Sequence, residues 1–152
     1  MSDRPRHYLS SAEIAALSET VRVHPLNPAA IRHTRSLGDA LGLQRLGVHL
    51  VRLEPGSASS EFHFHHFEEE FVYILSGRGV AHVGEEQIEV GPGDFLGFNT
   101  PSLPHTLANP FEGELVCLVG GERRDFDITD YPHVGKRLYR AHGKRHYVDW
   151  QS

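Results

Sequence analysis

Two imidazoles two residues apart, His63 and His65, are followed five residues later by the carboxylate of Glu70, in the run Glu61-Phe62-His63-Phe64-His65-His66-Phe67-Glu68-Glu69-Glu70. Side chains on a β-strand alternate between faces, so His63 and His65 point the same way and His66 the other. A third imidazole, His105, follows a Pro92-Gly93-Asp94 turn and a further apolar strand. Three imidazole nitrogens and one carboxylate oxygen are a donor set for a divalent transition metal, Zn, Fe, Mn or Ni, and they leave one or two positions for water or substrate. Ligand type alone does not choose among these metals. Glu68 and Glu69 compete with Glu70 for the carboxylate position. Parity sends Glu69 to the opposite face. Glu68 shares the parity of Glu70 but lies in the connection, whereas Glu70 opens a strand and shares a face with Val72 and Ile74. Glu70 is therefore the preferred ligand. The competing reading of the whole stretch is a His- and Glu-rich solvent loop.

Bringing residues so far apart in the chain to one point needs a closed β-architecture. The 152 residues suit one domain, and 15 glycines and 9 prolines between short apolar runs favour an all-β class. Residues 1–9 read as loose. Ser10-Ser11-Ala12-Glu13 resembles a capping box and opens a short helix to about Glu19. Val21 to His24 reads as a strand stopped by Pro25 and Pro28. Ile31 to Leu37 is ambiguous, and Gly38 to Gly42 reads as a turn or loop. Strands are then expected over 47–53, 62–65, 71–75, 80–83, 87–90, 95–98, 105–108 and 114–119. Turn signals roughly every 8–12 residues are the rhythm of a sandwich or barrel. Residues 1–45 are read as an N-terminal extension, 46–120 as the barrel core and 121–152 as a C-terminal arm packed on the barrel through Tyr139, Tyr147 and Trp150. The arm's Lys136, Arg137, Arg140, Lys144 and Arg145 read as a solvated face, or else as an anion-binding edge for a group such as a substrate phosphate.

Composition narrows the function further. A formal charge of -5 gives no basic footprint for nucleic acid. A single cysteine, Cys117, excludes an internal disulfide and thiolate clusters, and reads as a small buried hydrophobe. No run approaches the ~20 apolar residues of a membrane span, and Arg4 and Arg6 precede no apolar segment. The expectation is a cytoplasmic protein without membrane or nucleic-acid partners. Gly77-Arg78-Gly79 is a lone Gly-x-Gly at a hairpin and reads as turn chemistry. No Gly-x-Ser-x-Gly elbow is present, and lysine is scarce in the barrel region, which disfavours Schiff-base chemistry. His49 and His82 sit in strands and, with Tyr73, are weak candidates for a general acid or base, so no catalytic residue is assigned. Phe71 and Tyr73 are expected to pack between the sheet and its cover.

The pattern His63-Phe64-His65, Glu70, Gly77 resembles the first cupin motif: Gly, about five residues, His-x-His, three or four residues, Glu, six residues, Gly. Six residues separate Gly56 from His63, one more than the usual form, and six separate Glu70 from Gly77. Gly84 to Asn109 resembles the second motif through its end, His105-Thr106-Leu107-Ala108-Asn109. Pro101-Ser102-Leu103-Pro104 stands where that motif has Pro-x-Gly, and the first spacing is longer. The resemblance covers about residues 46 to 119. Asp130-Tyr131-Pro132 is in addition similar to a tail of small single-domain bacterial cupins. The resemblance implies a double-stranded β-helix, or jelly-roll barrel, with a short N-terminal helix and a metal in its mouth on His63, His65, Glu70 and His105. It also implies a homodimer and a small-molecule ligand. Such a site suits a metal-dependent isomerase or epimerase of a sugar or sugar phosphate. Loaded with iron it would suit a dioxygenase, and without turnover a small-ligand sensor. The intact His-x-His and Glu70 argue against a storage barrel with a degenerate site.

Overall fold

A computed structural model describes residues 6–151; residues 1–5 of the segment expected to be loose lie outside it. The capping box forms as expected. Ser10 Oγ accepts from the Glu13 amide at 3.2 Å, and Glu13 returns a carboxylate to the Ser10 amide at 2.7 Å, opening helix α1 (Ser11–Ala16). The helix stops short of Glu19 because Leu17 is already extended, leading into strand β1 (Thr20–His24). The ambiguous segment lies inside β2 (Asn27–Ser36) except for its last residue, Leu37, and β2 pairs with β1 and also with β3 (Leu46–Leu53). Pro28 does not stop β2: the register shifts between Val23 and His24 and leaves the proline outside the ladder. A single helical turn, α2 (Leu37–Ala40), occupies the expected loop.

The remaining strands are β4 (Phe64–His65), β5 (Glu70–Ser76), β6 (Gly79–Val83), β7 (Glu86–Val90), β8 (Phe95–Phe98), β9 (His105–Ala108), β10 (Leu115–Glu122), β11 (Phe126–Tyr131), β12 (Lys136–Ala141) and β13 (Lys144–Asp149). One wall of the barrel is the six-stranded sheet β1-β2-β3-β10-β5-β8. The other consists of a four-stranded sheet, β13-β12-β11-β4, and a three-stranded one, β7-β6-β9. The segment read as a C-terminal arm thus supplies three strands of this wall. Its aromatic anchors are partly as expected, with Trp150 edge-on to Phe64 and Tyr147 beside Tyr131. β11 carries no apolar run, because its buried residues include Asp127, Thr129 and Asp130.

Alternation on the two walls builds a core of Val51, Leu53, Ile74, Val90, Leu107 and Leu115, with Ala81 and Cys117. Each fully buried aliphatic side chain of this kind contributes roughly 1.5–3 kcal/mol. Burial also pushes the Cys117 thiol up to about 12, which keeps it protonated and inert at neutral pH. The core fills only one end of the barrel. At the other end the inward positions turn polar. Among the described residues no helix is long and apolar enough to cross a membrane.

Gly77, the glycine that closes the first motif, turns the chain between β5 and β6 with φ +82°, and a Cβ there would lie 2.1 Å from the backbone oxygen of Glu114. Gly77→Ala therefore combines left-handed strain with a clash against main chain that a rotamer change cannot relieve. The expected loss is about 2–4 kcal/mol of unfolding free energy in a urea titration. A loss below about 0.5 kcal/mol, the size of an ordinary surface change, would show that the turn relaxes freely.

Candidate metal centre

The chain crosses from one half of the second wall to the other at the His-x-His run. His63 and His105 form an isolated antiparallel bridge, with reciprocal amide–carbonyl bonds of 3.1 and 2.8 Å. Two residues later His65 pairs with Thr129 of β11. One short segment thus sets His63 beside β9 and His65 beside β11, both rings facing inward. Glu70, the first residue of β5, faces them from the other wall, opposite Phe98 and Gly121.

The three imidazoles converge on that carboxylate. Nε2 of His105 lies 3.0 Å and Nε2 of His63 3.6 Å from Glu70 Oε2, while Nε2 of His65 lies 3.3 Å from Oε1. His63, Glu70 and His105 each offer a donor atom within 4.8 Å of the others, and His65 reaches the same carboxylate through its second oxygen. Every ring is held from behind at Nδ1. His63 Nδ1 meets the Glu61 carbonyl at 2.8 Å, His105 Nδ1 the Leu103 carbonyl at 3.0 Å, and His65 Nδ1 the Asp127 carboxylate at 2.6 Å. An acceptor at Nδ1 fixes the proton there and leaves the Nε2 lone pair free for a metal. Phe98 stacks on the His105 ring at 3.5 Å between centroids and fixes its plane. The four side chains fit a divalent cation by donor type, convergence and outer support.

The electrostatics of the cluster's own side chains follow this packing. Burial opposes charge on His65, but its hydrogen bonds to Asp127 and Glu70 outweigh it and push the pKa up to about 10. Burial likewise opposes charge on Glu70, but the three imidazoles hold its carboxyl well below the usual range. For His63 burial dominates and lowers the pKa.

Glu68, the rival carboxylate, points elsewhere. With His65 and Asp127 it makes a second group of potential ligands. Its oxygen takes the Arg124 amide at 2.8 Å and pairs with Arg140, while Asp127 accepts the Phe67 and Glu68 amides besides His65. These acids are thus already satisfied, and they position His65. Glu69 is exposed, and His66 turns to the other face as parity requires, where Asp130 holds it at 2.7 Å and Arg137 in a two-pronged pair at 2.6 and 2.8 Å. The motif's Asn109 is buried. Its amide donates to the Leu53 and Gly113 carbonyls, so it clamps the strand end rather than joining the cluster. Of the three candidate proton carriers only His49 lines the central cavity of about 600 Å³; Tyr73 is exposed and His82 faces a separate shallow depression. Sequence reasoning missed Asp127 altogether. The one available signal was the spacing Asp127, Thr129, Tyr131, an alternation carried mostly by polar residues.

The profile of the cupin domain family matches residues 49–121. A crystal structure from Acidithiobacillus ferrooxidans, of a protein provisionally named a sugar phosphate isomerase, is 46% identical with a TM-score of 0.91, over 93% of this chain and 91% of that one. The chain belongs to the cupin superfamily. A second cupin, from Silicibacter pomeroyi and described as a sugar phosphate isomerase, is 30% identical with a TM-score of 0.79, over 88% of this chain and 86% of its own. A Thermotoga maritima protein described as a predicted oxalate decarboxylase is 19% identical with a TM-score of 0.61, over 73% of this cupin and 96% of that chain, and shares the fold alone. No curated protein matches this cupin.

Proposed function

We propose that this cupin holds one divalent transition metal on His63, His65, Glu70 and His105 and acts on a small hydroxy-carbonyl compound, a sugar or sugar phosphate, as an isomerase or epimerase. The observation that carries the reading is the convergence of three Nδ1-anchored imidazoles on one carboxylate at 3.0–3.6 Å, in the wall of a cavity large enough for such a ligand. The names of the two cupins at 46% and 30% identity point to the same substrate class. A metal bound there supplies a Lewis acid toward a ligand carbonyl or hydroxyl oxygen. The chain supplies the rest. Phe98 and the outer partners hold the ligating rings, and the apolar end of the barrel limits water.

On this reading His49, which lines the same cavity as the cluster, carries the proton. Its Nδ1 is buried without a partner among the described residues, and burial first, then Arg32 and Arg123, lower its pKa and keep the ring neutral. A neutral imidazole can take a proton from one carbon of the ligand and return it to the next. His49→Gln is expected to lower kcat by roughly 10²–10⁴-fold with metal content unchanged. Metal-stripped protein reloaded in turn with Zn, Mn, Fe and Ni, and screened by NMR against aldose phosphates, tests the whole reading. Failure to take up any metal, or turnover confined to aromatic diols with iron and oxygen, would sink it.

The same reading includes a second copy of the chain as partner. Tyr73 and Phe95 pair across β5 and β8 on the outer face of the six-stranded sheet, with Leu75 two residues on, at 39%, 64% and 44% exposure. Apolar groups gathered in this way on a sheet face mark an association surface. Sedimentation is expected to give twice the chain mass, and Phe95→Asp half of that. A monomeric parent protein would remove the proposal.

A further inference from the structure

Arg22 of β1 lies directly opposite Arg32 of β2. Like charges facing each other across strands are destabilising, and their side chains start only about 5 Å apart. Such a pair is ordinarily relieved by an acid between the strands. Here none serves. Among the described residues neither Arg22 nor Arg32 makes an ion pair or a side-chain hydrogen bond, and the same is true of Arg145 on β13. All three line the central cavity that also holds the metal-binding cluster. Arg22 and Arg32 share the inward face of the six-stranded sheet with His49, Val72 and Glu70, and Arg145 reaches the cavity from the second wall.

The cavity's acids are all engaged elsewhere. Glu68 is held by Arg140, Glu122 by Arg124 at 2.6 Å, Asp127 by His65, and Glu70 by three imidazoles. The other two cavity arginines are paired, Arg123 with Asp39 at 2.6 Å and Arg140 with Glu68. Among the described residues three guanidinium groups are left without a carboxylate in direct contact. Arg32 is also partly buried, and the loss of hydration outweighs the pull of the more distant Glu70 carboxylate on its charge. Guanidinium forks match phosphate oxygens two at a time, and a surplus of three positive charges suits a dianion better than a single carboxylate.

We propose that Arg22, Arg32 and Arg145 form a binding subsite for the phosphate group of a ligand whose other end reaches the His63–Glu70–His105 cluster. This rests on the functional reading above for the ligand's other end, but the subsite itself needs no metal. It selects phosphorylated over neutral sugars, and it absorbs the anion-binding role that the basic C-terminal segment suggested, with Arg145 as the contributor.

Inorganic phosphate is the probe, titrated calorimetrically into metal-stripped protein so that direct coordination cannot contribute. Saturable binding is expected in the parent. Arg32→Met, which keeps the packing volume, and Arg145→Gln, at an exposed position, should each weaken it by about 10–100-fold, the effect of one charge-assisted contact. Metal content after reloading should be unchanged in both. Arg22→Gln should raise the melting temperature in phosphate-free buffer by about 1–3 °C, because it removes the facing charge, and should abolish the further rise that phosphate gives the parent. A merely structural arginine would lower that temperature. No phosphate binding by the parent, affinities within twofold in both Arg32→Met and Arg145→Gln, or acetate binding as tight as phosphate would overturn the subsite. Metal uptake is scored separately. Its failure would count against the metal reading and leave the phosphate result standing.

Discussion

Glu70→Gln and His65→Ala are expected to leave a folded barrel that no longer retains metal through purification. Glu70 is where all three Nε2 atoms meet, and its replacement removes the only negative charge they share. Removing it, or one imidazole, should cost more than the ~10–100-fold in affinity that outer partners carry. Elemental analysis reads the loss, and far-UV circular dichroism confirms that the barrel persists. The parent should also lose thermal stability when a chelator strips it, since a ligand bound only by the native state stabilises it by mass action. The pH dependence has a definite sign. His65 is protonated in the metal-free chain up to about 10, so metal uptake at neutral pH must release that proton, and affinity should rise with pH. Full metal content in both variants, or an affinity flat across pH 6–9, would place the ion elsewhere.

Strand alternation is a local rule, and it made His65 and Glu70 legible from the parity of their own strands; His63, just before β4, keeps the same alternation through its bridge to His105. Glu70 was separable from Glu68 because one opens a strand and the other does not, and the structure sends Glu68 to Arg140 instead. His105 was legible only through the turn and strand that precede it and through motif spacing, since its meeting with His63 depends on a bridge between residues forty-two apart. What escaped was non-local and polar. Asp127 lies sixty-two residues from the imidazole it holds, in a strand whose buried face is acid and hydroxyl rather than aliphatic. Arg22 and Arg32 face each other only because a bulge at His24 sets the register of β1 on β2. No periodicity in the sequence announces a bulge. The apolar core, by contrast, followed from alternation, because a one-residue slip would expose every aliphatic side chain in the strand.

Asp127→Asn tests whether that distant acid matters to the cluster. Asp127 is 1% exposed and lies 2.6 Å from His65 Nδ1. The amide keeps the volume and an oxygen for the Phe67 and Glu68 amides, but it removes the charge that fixes the His65 proton at Nδ1. Metal affinity, measured by chelator competition, should fall by about 10–100-fold. The metal-free protein carries a second signature. In the parent, His65 has a folded pKa raised to about 10 against about 6.5 in an unfolded chain, so its contribution to stability is complete below about 6.5 and is lost as pH rises towards 10. Asp127 and Glu70 are shifted the opposite way, against the opposing effect of burial, and theirs is lost as pH falls through the acid range. Asp127→Asn should flatten the alkaline slope of a urea-midpoint profile and weaken the acid one, because Glu70 remains. An unchanged alkaline slope with parental metal affinity would mean that Glu70 alone holds His65 charged and that Asp127 merely fills space beneath it.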